Sequence, residues 1–450
     1  MIAAPALQGT VEVGVVIVGG GYTGMWTAVE LCDHLDPSRI AILESELCGT
    51  GPSGRNGGFC HGLADEVEQI EARFGADSAR LLIERSIAEA AAIGNWAERN
   101  GISIDFRPAG ELIVSRDPAH DSACETMIAA AERVGLANEF TRLTAAELHD
   151  KCSVAGARSA VFGRNVATLH PGKLALGLRS FLLERGVQIF ENSAVTGFGA
   201  ESGGVVVNTK EGLVRARSGV LSSGVASAAR KGLRRETTLT SSHMVITEPV
   251  PDVIAELGWS GGEAVIDSRI LVHYMRTTAD QRIAFGWGGG EIGFGTVPRP
   301  RDSVSPKLSA KVARDLVEFF PALAGKSIDH AWGGPIDASP SHLPAVRPLA
   351  GGAWHACFGF TGNGVGPSRL CGQLLAQLAR DSEAAVGELT ALIVDDPQRV
   401  PPEPFRKVGG VSIMRAIDAV ERAGETGGRV PAVARAVAKV PDLLGYRIGR

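Results

Sequence analysis

The chain has 450 residues and a formal net charge of −5, with 45 Lys and Arg against 50 Asp and Glu. That length can bury the cores of two or three domains, and the mild acidity supplies no basic field for nucleic acid. Hydrophobic residues make up 44% of the chain but never run for eighteen in a row, which excludes a membrane-spanning helix. The opening Met1-Ile-Ala-Ala-Pro-Ala-Leu-Gln8 lacks the cationic start of a secretory signal. Seven cysteines (Cys32, Cys48, Cys60, Cys124, Cys152, Cys357 and Cys371) form no CxxC pair. They read as reduced thiols of a cytoplasmic protein rather than a disulfide framework or a zinc site. No HExxH pattern is present, and no metal site is expected.

Val15–Val18 is a β-branched strand that breaks into glycines and restarts as a helical segment, Met25–Leu35. Gly19-x-Gly21-x-x-Gly24 is the dinucleotide fingerprint: a tight turn, a close backbone approach to a pyrophosphate, and a close helix–strand contact. A second strand, Ile40–Leu43, ends at Glu44, twenty residues past Gly24, where this arrangement sets a carboxylate on a ribose hydroxyl. Gly49–Gly58 is too glycine-rich for a helix and suits a backbone lying against a flat ligand. An amphipathic helix is expected over 79–97, then a strand over 110–115. Gly186–Phe190 and Val205–Val207 read as strands, and Gly219–Gly224 as a short strand entering a glycine turn.

Three alternating strands follow: His243–Thr247, Ile270–Arg276 and Gln281–Trp287. Period-two alternation puts His273 and Met275 on one face, and Tyr274 and Arg276 on the other. Ala356–Phe360 is a strand that breaks at Thr361–Ser368 and restarts as the helix Arg369–Ala379, with Pro367 suited to its first turn. Val411–Ala423 and Pro431–Lys439 are helical in pattern. They are expected to dock on the body or form a homo-oligomer contact; lying on a membrane, they would instead belong to an enzyme feeding quinones.

Together these motifs resemble, from about Val13 to Arg406, the D-amino acid oxidase/glycine oxidase superfamily of FAD-dependent amine oxidoreductases. Ser53-Gly-Arg-Asn-Gly-Gly58 and Pro401–Arg406 are most similar to γ-glutamylputrescine oxidases and putative aminophosphonate oxidoreductases. The resemblance implies an α/β fold with a discontinuous, Rossmann-like FAD-binding domain of glutathione reductase type in segments 13–65, 150–228 and 330–400. A mixed-sheet α+β substrate domain would take 66–149 and 229–329, and 401–450 would be a helical extension.

For the cofactor, the resemblance assigns Gly19, Gly21, Tyr22, Thr23 and Gly24 to the pyrophosphate, and Glu44 with Ser45 to the ribose. Ser53, Arg55, Asn56, Gly57 and Gly58 would lie beside the isoalloxazine, Val195 beside the adenine, Ser223 and Gly224 in a supporting turn, and Thr361, Gly362, Asn363, Gly364 and Val365 at the flavin pyrimidine. The family's covalent members use a cysteine near Asp337–Ser339 or a histidine at about Arg55; neither is present, so FAD is expected to be non-covalent. The substrate-pocket candidates are His61, His273, Tyr274, Arg276, Trp287 and Trp332. Each has a plainer reading: a satisfied buried histidine for His273, a turn cap for His61, an ion-paired sheet face for Tyr274 and Arg276, and core packing for the tryptophans.

Two departures from the pattern bear on substrate and acceptor. Gly334 stands where the family carries the arginine that pairs with a substrate carboxylate. Arg282–Gly286 offers alanine or isoleucine where sarcosine oxidase-like members place a lysine for oxygen. The implied activity is oxidation of a primary or secondary amine to an imine by hydride transfer to flavin N5, with O2 the expected acceptor. Alternatives are a quinone-linked dehydrogenase, a biosynthetic tailoring oxidase, or a non-catalytic FAD-binding subunit.

Overall fold

The computed structural model describes residues 2–230, 232–293 and 304–448. Gly9–Val18 is the central strand of an eight-stranded sheet. It pairs in parallel with Ile40–Leu43 on one side and Gly212–Leu221 on the other. Gln188–Phe190 and Trp354–Phe358 continue the sheet in parallel, and Ala345–Leu349 closes one edge antiparallel. The run Val13–Val18 is wholly buried because both faces are covered, which is why it reads as continuously apolar. Val15 and Ile17 pack with Met25 and Leu374, from the helices Tyr22–Leu31 and Val365–Arg380. Val16 and Val18 pack with Val205 and Val207, from the hairpin strand Gly204–Asn208.

The second sheet also has eight strands, in the order Ile328–Ala338, Thr238–Thr247, Ile283–Trp287, His273–Thr277, Ala264–Asp267, Glu111–Ser115, Ser159–Gly163, Phe140–Thr144. Two strands therefore cross the boundaries expected from sequence. Ser159–Gly163, inside the expected cofactor segment, pairs along Glu111–Ser115. Ile328–Ala338 runs beside Thr238–Thr247. Strand pairing between segments remote in sequence decides sheet membership, and the positions of glycine motifs do not report it.

Three local expectations also shift. Gly49–Gly58 contains a short helix, Pro52–Arg55, with Pro52 in its first turn and Gly54 packed against the Gly49 carbonyl. The strand expected from Ile270 begins only at His273, because the Ile270 N–H donates to Glu421 from the C-terminal extension. The short strand at Gly219 is the end of a ten-residue strand, Gly212–Leu221.

The extension is helical at Phe405–Thr426, Ala432–Ala438 and Val440–Leu443. Its first helix docks on the second sheet: Ile417 joins the core with Met275 and Phe285, and buried Arg269 grips Glu425 through two hydrogen bonds. Gly424 lies so close to Asp117 that a Cβ would sit 2.8 Å from its carboxyl carbon. Among the described residues, no helix is long and apolar enough to cross a membrane. None of the seven cysteines forms a disulfide, and six are buried.

Candidate active site

One cavity of about 990 Å3 runs from the fingerprint turn to the second sheet. That is the size of a cofactor or ligand cleft, which spans roughly 300–1,000 Å3. At one end the helix Tyr22–Leu31 begins at Gly21, which offers no side-chain cap; the Tyr22 N–H donates to Ser53 Oγ at 2.9 Å, and the positive dipole end of the helix favours an anion there. Gly19 has φ +113°, and a Cβ there would meet the Ser222 carbonyl oxygen at 2.5 Å. A Cβ on Gly24 would overlap the Gly19 carbonyl and reach 2.7 Å from Ser222 Oγ. The cradle is built from backbone and admits only glycine at these points.

Glu44 is fixed at the wall of the same cavity. Its carboxylate accepts from the Gly20 N–H at 2.8 Å, from the Ser45 hydroxyl at 2.8 Å and from the Glu46 N–H at 3.0 Å. Three donors leave lone pairs free on the carboxylate, which suits a ribose diol. Val195, Ser223 and Gly224 line this end, and Thr361–Val365, leading into the helix Val365–Arg380, line the other. The glycine backbone, the fixed carboxylate and the cavity's size are the chemistry a dinucleotide asks for.

The loop expected beside a flavin is tied by its own side chain and by two residues from the second sheet. Asn56 Nδ2 donates to the Ser53 carbonyl at 2.7 Å, and its Oδ1 accepts from the Gly58 N–H at 2.8 Å. Arg276 Nε donates to the Gly57 carbonyl at 2.6 Å, and Trp332 Nε1 to the Arg55 carbonyl at 2.8 Å. Ser53, Arg55, Asn56 and Gly57 line the cavity; Gly58 faces away, packed between Leu169 and Arg276.

The six substrate-side candidates divide. His61, Tyr274 and Trp332 line the cavity. His61 Nδ1 lies 3.3 Å from Asp65. The Tyr274 hydroxyl bonds Ser242 Oγ at 2.6 Å, and its ring meets Phe59 edge-on. Gly57 and Gly286 make room for that ring, since a Cβ on either would strike it. Burial pushes the Tyr274 phenol up to about 12, so it stays protonated and acts as a hydrogen-bond donor.

Arg276, His273 and Trp287 do not line the cavity, which corrects their expected roles. Arg276 is on the expected face, but the Gly57 carbonyl takes its Nε, so it positions the loop instead of meeting a ligand. His273 lies between Asp267 at 2.7 Å and Asp315 at 3.1 Å. Burial lowers its pKa, but the two carboxylates raise it further and hold it above its ordinary value. Trp287 packs under Lys311, whose Nζ is 3.7 Å from the ring centroid, with the His273 ring stacked nearby. The plainer reading, a satisfied buried histidine, is the one the structure gives.

Three features of the cavity carried no signal in the sequence. Asp337, near the end of the strand Ile328–Ala338, is buried and accepts from the Gly359 N–H at 2.7 Å, just ahead of the late glycine turn, while burial pushes its carboxyl up to about 6. His342 bonds Glu66 at 3.2 Å at the wall. The C-terminal extension supplies a large share of the lining, including Ile413, Met414, Leu444 and Ile448. A one-sided apolar pattern showed that the extension docks, but not against what.

A glycine cradle at a strand–helix turn, a fixed carboxylate after the second strand and a tethered loop facing a roofed chamber define a dinucleotide-dependent flavoprotein. Residues 14–378 match the family model described as FAD dependent oxidoreductase (DAO). The chain belongs to that family, and FAD is its cofactor. It is 28% identical over 393 residues to a probable oxidoreductase OrdL of Rhizobium meliloti, covering 83% of this chain and 85% of that one. It is 27% identical over 377 residues to the γ-glutamylputrescine oxidoreductase of Escherichia coli, covering 83% and 85%. Its fold is that of glycine oxidase from Geobacillus kaustophilus (TM-score 0.70, 20% identity, 86% of this chain and 99% of that structure).

Proposed function

We propose that this flavoenzyme oxidises a primary or secondary amine to an imine, with O2 as acceptor, and that water then converts the imine to a carbonyl product and a free amine. Bound non-covalently, FAD supplies the two-electron acceptor for the hydride leaving the carbon next to nitrogen. The observation that carries this reading is the roofed, mostly apolar chamber joined directly to the flavin loop, in a chain whose relatives include an amine oxidoreductase.

The chain's own groups bind and orient. Trp332 and Arg276 hold the Arg55 and Gly57 carbonyls, fixing the loop against which the flavin ring system would lie. The amides at the start of Val365–Arg380 face the cavity with a positive dipole end that favours negative charge there. Tyr274 gives its O–H to Ser242 Oγ, whose own hydroxyl donates to the Trp287 carbonyl, so it presents an aromatic wall to the chamber, and its raised pKa keeps it from becoming a base. In a low-dielectric chamber an ammonium is disfavoured, so the substrate nitrogen arrives neutral, as hydride loss requires.

Gly334 lines the cavity with nothing within 4 Å of where its Cβ would lie, and Arg276 is committed elsewhere. Neither residue clamps an α-carboxylate. Glycine, sarcosine and D-alanine should therefore bleach the flavin band under anaerobic conditions at least about tenfold more slowly than longer amines. Equal rates with a small amino acid would overturn that preference, and a flavin that no amine bleaches would overturn the reaction itself.

A further inference from the structure

We propose that the C-terminal extension is the selectivity wall of the amine chamber, and that its apolar side chains admit amines with a hydrophobic body of several carbons. The inference rests on the amine reading above and names the substrate class of that same site.

The family match ends at residue 378, whereas the chamber is completed by residues 405–448. From that extension, Ile413, Met414, Leu444 and Ile448 line the cavity, facing Ile270 and Leu271, which also line it. The extension is docked tightly. A Cβ on Gly410 would overlap Ile292 Cδ1, and one on Gly424 would run into Asp117. Buried Arg269 pairs with half-buried Glu425, and Glu421 holds the Ile270 N–H.

The last residues are held by lighter bonds: Gln398 Nε2 to the Gly445 carbonyl at 3.0 Å, the Tyr446 hydroxyl to the Arg399 carbonyl at 2.9 Å, and the Arg447 N–H to the Pro340 carbonyl at 3.2 Å. These residues also separate the chamber from a second cavity of about 890 Å3, since Ile270, Pro340, Tyr446, Arg447 and Ile448 line both. A ligand body reaching away from the flavin loop therefore meets a wall contributed by the extension, apolar at Ile413, Met414, Leu444 and Ile448 and edged by Tyr446 and Arg447. Filling an apolar pocket discriminates at about the scale of the methylenes it accepts or rejects.

The test uses the full-length holoenzyme and two probes, ethylamine and 4-phenylbutylamine, scored by anaerobic bleaching of the flavin. Met414→Trp should change the ratio of the two rates by about tenfold or more against 4-phenylbutylamine, with FAD content unaltered. An unchanged ratio overturns the proposal.

A second readout does not need amine oxidation. Flavin reduced by dithionite is reoxidised with the bulky dye dichlorophenolindophenol, and undocking the extension with Arg269→Ala or, more conservatively, Glu425→Gln should speed that step severalfold. An unchanged rate in a variant that keeps its FAD overturns the wall. If no amine bleaches the wild-type flavin but undocking still exposes it, the amine reading fails while the wall as a barrier stands.

Discussion

The two ends of the cavity are built from different materials. At the fingerprint end the surface is backbone: Gly19 and Gly24 place amides and carbonyls where no side chain fits, and the carboxylate of Glu44 is held by three donors. At the far end the surface is side chains from remote segments, including Tyr274, Trp332, Met414 and Ile448. The first end must stay as it is to hold one cofactor, whereas the second can be recut one residue at a time. One scaffold can thus carry a constant redox group and a variable substrate.

The comparison breaks first at Gly24. Gly24→Ala puts a methyl onto the Gly19 carbonyl and Ser222 Oγ, forcing helix and strand apart at the pyrophosphate. It should give protein that is colourless or insoluble, read as loss of the flavin absorbance band and of cooperative melting. A yellow, normally stable variant would show that the cradle tolerates what its geometry forbids. The contrast sharpens at Gly334, where a new side chain meets open space. Gly334→Arg should keep FAD and raise flavin reduction by glycine or D-alanine about tenfold, by supplying a bidentate carboxylate partner. Unchanged rates, measured by stopped-flow bleaching, would place the substrate's acid away from this strand.

The smallest effect is expected where the extension docks. Burial pushes Glu421 up to about 7, with Arg269, Asp267 and Asp418 as the charged groups facing it and the Ile270 N–H as its donor. A carboxyl raised in the folded state favours the native protein below its ordinary value, and that contribution disappears as pH rises through 7. Glu421→Gln should therefore flatten the decline in Tm between pH 5 and 8 by a few degrees. Parallel curves for variant and wild type would show that Glu421 is not the titrating group.

The legible parts of this molecule were those in which cause and effect lie close along the chain. Gly19, Gly21, Gly24 and Glu44 sit within one strand–turn–helix–strand unit, so spacing alone gave that local geometry, and Gly19, Gly21 and Glu44 do line the cavity. The alternation at His273–Arg276 likewise gave the correct faces. What Arg276 would touch was not legible, because Gly57 is 219 positions away and sequence carries no distance across a fold. Asp337 is one aspartate among many until the Gly359 N–H arrives to claim it. For the extension, helical periodicity reported a buried face, and only the tertiary arrangement shows that part of the face looks into the chamber.

The central sheet also dictates when the enzyme comes into being. One side of Gly9–Val18 can pair early with Ile40–Leu43, but the other pairs with Gly212–Leu221 and waits through nearly half of synthesis. At roughly 5–20 residues per second, the ribosome needs on the order of 10–40 s to deliver the partner of the first strand. Until then the nascent chain carries an apolar β-edge with nothing to pair it, the state most exposed to chaperones and to aggregation. Every fragment that stops short of residue 212 shares that unsatisfied edge.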